Sequence, residues 1–155
     1  GTFSKALGSF GAYAACSSQL KNYLINSSRS FIYSTSLPPP VIGASLAGLD
    51  LIKKEPFRRK ILLEKSNYFR DELNKRGFSV RGSSQIIPLI LGDNRKAAKT
   101  SEELRNRGYW VLPIMPPTVP KNESRLRFSL SYCHTKDMLK GLLDALSEIE
   151  HVYPV

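Results

Sequence analysis

One lysine near the start of the chain is placed as a nucleophile would be. Lys5 stands among small and hydroxyl-bearing residues in the run Gly1-Thr2-Phe3-Ser4-Lys5-Ala6-Leu7-Gly8-Ser9-Phe10-Gly11. The glycines permit a tight backbone, and a lysine amine that such a backbone removes from water can attack a carbonyl carbon. A desolvated, carbonyl-reactive Lys5 is therefore one interpretation of this stretch. The alternative is a solvated lysine on a surface turn.

Hydroxyl side chains cluster at a second place, where a short apolar run ends. Ser34, Thr35 and Ser36 follow residues 31–33, which we predict to be a strand, and prolines stop the run from Pro38 onward. Hydroxyls and backbone amides at a strand end can donate hydrogen bonds to a phosphate. An ordinary Ser/Thr turn is the alternative.

Two arginines alternate with apolar residues in a later segment. A period of two places one set of side chains on one face of a strand and the other set on the opposite face. The two sets are Leu126, Phe128 and Leu130, and Arg125, Arg127 and Ser129. Two guanidiniums on one side of a strand form a surface that recognises carboxylates. A solvated polar face explains the same pattern.

These stretches together resemble one family of enzymes. Residues 1–8 are similar to the cofactor-lysine segment of the α-oxoamine synthases, a branch of the fold-type I pyridoxal phosphate enzymes. Four further stretches match that family in order: 31–39, 87–93, 116–120 and 125–127. The resemblance covers the chain as far as about Ile149.

The resemblance implies an enzyme that uses pyridoxal 5'-phosphate to condense an amino acid with an acyl thioester, with loss of carbon dioxide. It implies that Lys5 binds the cofactor and then acts as the base at the α-carbon, and that Thr2 hydrogen-bonds the cofactor phosphate. It further implies that Thr35, together with Ser34, contacts the cofactor phosphate of the neighbouring subunit. The resemblance thus also implies a homodimer with a shared active site.

Two more residues are assigned to the substrates by the same resemblance. Arg127 aligns with the arginine that binds the amino-acid carboxylate, whereas Arg125 is the less constant of the pair, and Thr118 lies in the substrate-facing proline-rich loop. The chain has Met115 where close relatives commonly have arginine, which leaves the acyl preference open. Asn122 replaces a frequent glycine and can also adopt a positive φ.

The fold that the resemblance implies is α/β, as the C-terminal part of a fold-type I transferase. Residues 1–40 would end the cofactor-binding large domain, 41–76 would be linking helices, and 77–155 would form a small domain with a mainly antiparallel sheet. Family members carry well over half of their chain before the lysine, including an aspartate that pairs with the pyridine nitrogen. We therefore expect this chain to be the C-terminal portion of a longer protein.

Local patterns give the individual elements. The predicted helices start at Ser17-Ser18 and run through Leu24, then cover 41–54, 57–76, 94–107 and about 135–149, with Thr135 as the N-cap of the last one. Gly77 and Gly108 are the predicted helix ends, and Asp93 or Asn94 the predicted cap between them. The predicted strands are 11–17, 31–33, 78–80, 85–91, 109–112 and 125–130, with Pro88 at an edge. Residues 113–120 should be an extended loop and 151–155 a loose tail.

Composition and charge pattern argue against several classes of protein. The 155 residues carry a net charge of +10, but the basic residues alternate with acidic ones as on a solvated helix face, and no nucleic-acid-binding motif accompanies them. The apolar runs are too short to span a bilayer. Cys16 and Cys133 lack metal-ligand spacing, so we expect no metal site and a reduced, cytoplasmic setting.

Three interpretations stay open at this stage. The first is an α-oxoamine synthase whose substrates the sequence does not fix. The second is a chain that keeps only a structural or dimerising role. The third, a basic nucleic-acid-binding module, predicts salt-sensitive binding to random duplex.

Overall fold

A computed structural model describes residues 1–152, in two compact units. The first unit spans Gly1–Pro56 and the second begins at Phe57. In chain order the elements are α1 (Ser18–Ser27), α2 (Arg29–Ile32), α3 (Pro39–Lys54), α4 (Phe57–Lys75), β1 (Ile86–Gly92), α5 (Asn94–Asn106), β2 (Leu112–Ile114), β3 (Ser124–Ser129) and α6 (Lys136–Val152). Within the described residues, no helix is long and apolar enough to cross a membrane.

The first unit is a short hairpin followed by three helices. The hairpin pairs the first three residues with residues 11–13, through an isolated antiparallel bridge between Thr2 and Ala12. Helix α1 begins as predicted, because the hydroxyl of Ser17 accepts a hydrogen bond from Leu20 N (3.3 Å). Helix α3 begins with prolines, whose missing N–H groups cost nothing in a first turn.

Two strand predictions in this unit are wrong. Residues 11–17 form no strand beyond the bridge at Ala12, and residues 12–17 are exposed. Residues 29–32 form helix α2, in which Ile32 N donates to Ser28 O (2.9 Å) and Tyr33 N to Arg29 O (3.0 Å). A short apolar run fits a helix or a strand equally well, and here the local helical hydrogen bonds are the ones that form.

The second unit is a three-stranded antiparallel sheet covered by three helices. The strand order is β1-β3-β2, so β3 is central and pairs with both neighbours. The predicted antiparallel character of this sheet is confirmed. Pro88 lies in β1 at an edge of the three-stranded sheet, as its missing N–H requires.

The core of the second unit lies between the sheet and helices α4, α5 and α6. The sheet contributes Ile87, Leu89, Leu126 and Phe128; the helices contribute Phe69, Leu73, Leu104, Leu139, Leu143 and Leu146. Phe69 and Phe128 meet edge to face with ring centroids 5.3 Å apart. The helices therefore cover one face of the sheet, which we call the inner face, and the opposite face is the outer face.

The predicted helix ends in this unit are confirmed. Gly77 and Gly108 follow their helices with φ of 86° and 87°, the left-handed conformation that ends a helix. Asp93 caps α5 by accepting from Lys96 N (2.9 Å), and Thr135 caps α6 by accepting from Met138 N (3.2 Å).

Some predictions for this unit are wrong. Residues 109–111 are not a strand. Strand β2 begins at Leu112 and includes Pro113, which is tolerated because β2 is an edge strand of the sheet. Residues 78–80 contribute only the bridge from Val80 to Leu89. Met138 is 56% exposed rather than inward. Helix α6 runs through the first two residues of the predicted tail, and 153–155 lie outside the described residues.

Candidate functional site

The hairpin of the first unit presents Lys5 at its turn. Phe3 N donates to Gly11 O (2.9 Å), and Tyr13 N donates to Gly1 O (2.9 Å), which closes the two arms. Gly8 N donates to Lys5 O (3.1 Å) and folds the tip back on itself. Gly11 has a φ of 103°, a conformation that a residue with a side chain adopts only with strain.

Helix α3 supports this hairpin. Ser9 Oγ donates to the carbonyl oxygen of Val41 (3.0 Å), and Ser45 Oγ lies 3.0 Å from Ser9 Oγ. Ser45 is buried, unlike the other described residues of the range 1–56. Leu7 packs so closely on Gly48 that a Cβ there would lie 2.6 Å from Leu7 Cδ2. The loop carrying Lys5 is thus fastened to a helix by hydroxyl groups and by a small-residue contact.

The lysine itself is exposed, as is Thr2 beside it. In the described chain Lys5 is thus a solvated lysine on a tight turn, the alternative that the local residues also allow. The tight turn exists, but within the described residues of the first unit nothing covers the side chain at its tip.

The predicted phosphate-binding hydroxyls belong to the same unit. Ser34 and Thr35 are exposed and follow the short helix α2. Leu37, two residues further on, packs on Gly11 so closely that a Cβ at Gly11 would lie 2.7 Å from Leu37 Cδ1. This contact brings the hydroxyl segment to the base of the hairpin that carries Lys5.

The outer face of the sheet carries the arginines. Arg127 and Ser129 are exposed there, whereas Leu126 and Phe128 are buried on the inner face, as the alternation predicts. The two arginines differ in their partners. Arg125 Nη2 lies 2.6 Å from Glu123 Oε2, while the guanidinium of Arg127 makes no hydrogen bond or ion pair within the described part of the chain.

The proline-rich loop leads into this strand. Thr118 is exposed and its N–H donates to Met115 O (3.1 Å). Asn122 has the predicted positive φ, 62°, and Glu123 N donates to Pro120 O (3.2 Å) just before β3 begins. Thr118 and Arg127 therefore belong to one unit, and Lys5, Thr2, Ser34 and Thr35 belong to the other.

Two side chains that fix the position of neighbouring groups, Lys65 and Glu123, were not predicted from the sequence. Lys65 Nζ donates to the carbonyl oxygens of Tyr132 and His134, at 2.7 Å each, and so fixes the turn that follows β3. His134 supports the same turn by accepting from Ser131 N (3.2 Å). Glu123 precedes β3, so strand alternation does not place it beside Arg125, and Lys65 likewise had no signal in the sequence.

Comparison with known proteins identifies the family. The description "aminotransferase class I and II" matches residues 1–146, and the chain belongs to that family. Among similar curated proteins are the 8-amino-7-oxononanoate synthases of Trichlorobacter lovleyi, 43% identical over 152 residues, and of Anaeromyxobacter dehalogenans, 43% identical over 150 residues. The matches cover 96% of this chain but 39% and 38% of those proteins. The chain spans about two fifths of its relatives' length.

Solved structures confirm the fold. The 8-amino-7-oxononanoate synthase of Francisella tularensis superposes with a TM-score of 0.84 at 26% identity, over 98% of this chain and 45% of that one. The serine palmitoyltransferase of Sphingomonas wittichii superposes with a TM-score of 0.91 at 24% identity, over 97% of this chain and 39% of that one. The predicted fold class, part of a fold-type I transferase, is confirmed.

Proposed function

We propose that this chain serves a pyridoxal-phosphate-dependent α-oxoamine synthase that joins L-alanine to a pimeloyl thioester, on coenzyme A or acyl carrier protein, to give 8-amino-7-oxononanoate for biotin synthesis. The observation that carries the proposal is Lys5 at the tip of a hydrogen-bonded hairpin in a chain about 43% identical to 8-amino-7-oxononanoate synthases. Because the chain covers about two fifths of those relatives, activity belongs to the protein that supplies the rest of the fold, and we expect this stretch alone to be inactive.

The side chains present fit the cofactor. Lys5 offers a primary amine on an exposed, glycine-shaped turn, and Thr2, Ser34 and Thr35 offer exposed hydroxyl donors suited to a phosphate. When bound, pyridoxal phosphate supplies an aldehyde that joins amines and a ring that draws electron density from the α-carbon. Lys5 anchors it and afterwards removes the α-proton of the amino acid.

Arg127 binds the amino-acid carboxylate in this proposal. Its guanidinium is exposed and unpaired within the described residues, so it can form two parallel hydrogen bonds with a carboxylate without giving up a partner. Holding the carboxylate fixes the orientation of the α-carbon, and positioning of that kind contributes on the order of several kcal/mol to lowering the barrier. Thr118, on the loop before β3, faces the acyl substrate.

The proposed reaction forms one carbon–carbon bond and breaks one carbon–sulfur bond and one carbon–carbon bond. The α-proton leaves the amino acid, a carbon–carbon bond forms between the α-carbon and the thioester carbonyl, and the carbon–sulfur bond breaks, so that the thiolate leaves and takes up a proton. Carbon dioxide leaves from the original carboxylate and a proton returns to the α-carbon. The protein acts as a cytoplasmic homodimer, with Thr35 and Ser34 reaching the cofactor phosphate of the other subunit, and it needs no metal, nucleic acid or membrane. The exposed position of both hydroxyls supports that arrangement.

The proposal is tested by assaying the full protein with a panel of amino acids and acyl thioesters and identifying products by mass. We expect L-alanine with a pimeloyl thioester to be the best pair, and Lys5→Ala to abolish turnover. Met115 replaces the arginine common in relatives, so a different acyl chain is the specific competitor. Preference for a long-chain acyl thioester with serine would favour a serine palmitoyltransferase; glycine with a short acyl group would favour an aminoketobutyrate ligase, and glycine with a succinyl group an aminolevulinate synthase.

A further inference from the structure

Three arginines lie on neighbouring positions of the outer face of the sheet: Arg81, Arg125 and Arg127. Arg81 N donates to Pro88 O (3.1 Å), and Pro88 pairs in register with Arg127 on β3, so Arg81 and Arg127 lie on either side of Pro88. Arg125 is two residues from Arg127 on the same strand and therefore shares its face. Left unpaired, these three cations would form a strong anion-binding surface.

Glu123 pairs with two of the three guanidiniums, those of Arg125 and Arg81. Its Oε2 atom accepts from Arg125 Nη2 at 2.6 Å and from Arg81 Nη1 at 3.2 Å. The Nε of Arg125 also donates to the backbone carbonyl of Glu123 (2.9 Å), which fixes the plane of that guanidinium. Arg127 is left as the member of the trio without a partner among the described residues.

The burial of these groups makes the pairing effective. Side chains are 17% exposed at Arg125 and 32% exposed at Glu123, whereas Arg81 is 56% exposed. Water and salt screen the Arg125–Glu123 contact less than a fully exposed pair, so Arg125 stays engaged when an anion approaches its neighbour.

We infer that Glu123 is a specificity-determining residue that restricts this face to ligands with a single carboxylate. It withholds Arg125 and Arg81, so Arg127 alone receives an anion, and its own negative charge repels a second carboxylate. The site then favours neutral amino acids with one carboxylate over dicarboxylic ones. This inference rests on the proposed role of Arg127 as the carboxylate-binding residue.

The test compares two simple probes, propionate and succinate, on the full protein. Binding is followed through the Nε–H signals of the arginines by heteronuclear NMR, with Glu123→Gln as the variant. We expect propionate affinity to stay the same and succinate affinity to rise about five- to tenfold, as one added charge-assisted contact at a partly exposed site would give. Glu102→Gln, which removes the same charge from an exposed position on α5, should change neither.

Two further measurements separate the outcomes. The gain for succinate should disappear in the double variant Glu123→Gln/Arg125→Gln, because Arg125 is the group that Glu123 releases. In the unaltered protein the Nε–H of Arg125 should exchange with water more slowly than that of Arg127; equal exchange of the two would overturn the inference even if the variant failed to fold. If propionate leaves the Arg127 signal unchanged, the proposed role of Arg127 fails; if propionate binds there but succinate gains nothing in Glu123→Gln, this inference alone fails.

Discussion

Arg125 and Arg127 occupy equivalent places in an alternating strand, yet their surroundings make them chemically different. One is 17% exposed and paired with Glu123, and the other is exposed and unpaired among the described residues. The alternating pattern placed both on the outer face correctly. Their different pairing depends on Glu123 and Arg81, and Arg81 lies more than 40 residues earlier in the chain, so no periodicity in β3 could reveal it.

Arg127→Lys should weaken amino-acid binding in the active protein. A lysine keeps the charge but loses the two-pronged geometry that a carboxylate matches. We expect KM for the amino acid to rise about tenfold, equivalent to about 1.4 kcal/mol, with a smaller change in kcat. Steady-state kinetics measure this. Arg95→Lys, an exposed arginine on α5, serves as the control, and an equal effect in both variants would contradict the role of Arg127.

Lys65→Met should destabilise the second unit. The substitution leaves the carbonyl groups of Tyr132 and His134 without their donor, which costs about 1–3 kcal/mol for partly buried groups. Denaturant unfolding followed by circular dichroism and Trp110 fluorescence measures the loss. Lys60→Met on the same helix, at an exposed position, should lie within about 0.5 kcal/mol of the original protein. Equal stabilities of the two variants would show that the Lys65 contacts contribute nothing.

At the scale of elements, the helix ends were predicted from local residues, whereas the errors fall on short segments predicted to be strands. Asp93, Thr135, Gly77 and Gly108 mark helix ends through hydrogen bonds and φ values that lie within a few residues, and all four predictions hold. Strands depend on partners elsewhere in the chain. The run 109–111 therefore resembled a strand without being one, and 29–32 closed local helical bonds instead.

The hairpin that carries Lys5 depends on glycine at position 11. Gly11→Ala places a side chain at a φ of 103° and within 2.7 Å of Leu37 Cδ1, so we expect a loss of about 1–2 kcal/mol in the local stability of the hairpin. In the active protein this should appear as a weaker yield of cofactor bound to Lys5.

Gly43→Ala is the matched control for that prediction. Gly43 lies in helix α3, where an added Cβ meets nothing within 4 Å, so the substitution should be neutral or stabilise the helix by up to about 1 kcal/mol. Cofactor binding should be unchanged in Gly43→Ala. An equal loss in both variants would mean that position 11 has no special role.

On the scale of the whole molecule, the two units differ in how much apolar surface they bury. Large apolar side chains are exposed throughout the first unit, including Phe31 at 66%, Tyr33 at 80% and Leu46 at 59%. The second unit instead has a continuous core between its sheet and helices. Exposed apolar surface on this scale favours association with other polypeptide or with further copies of the chain.

Hydrogen exchange on the 155-residue chain by itself should therefore divide at about Pro56. We expect slow exchange in β1, β3 and α6 and fast exchange in α1 and α3, since local opening is easiest where few apolar contacts are buried. Sedimentation should show association that weakens on dilution. Equal protection of α3 and α6 in a monomer would contradict this account of the first unit.

The central claim is that Lys5 anchors pyridoxal phosphate in the protein to which this chain belongs. The direct measurement is visible absorption of the intact protein after addition of the cofactor, followed by borohydride reduction and peptide mapping by mass. We predict a visible band, with the reduced cofactor on the peptide that contains Lys5; the band should be lost in Lys5→Ala and retained in Lys53→Ala. Label spread over many lysines, or none on Lys5, would contradict it.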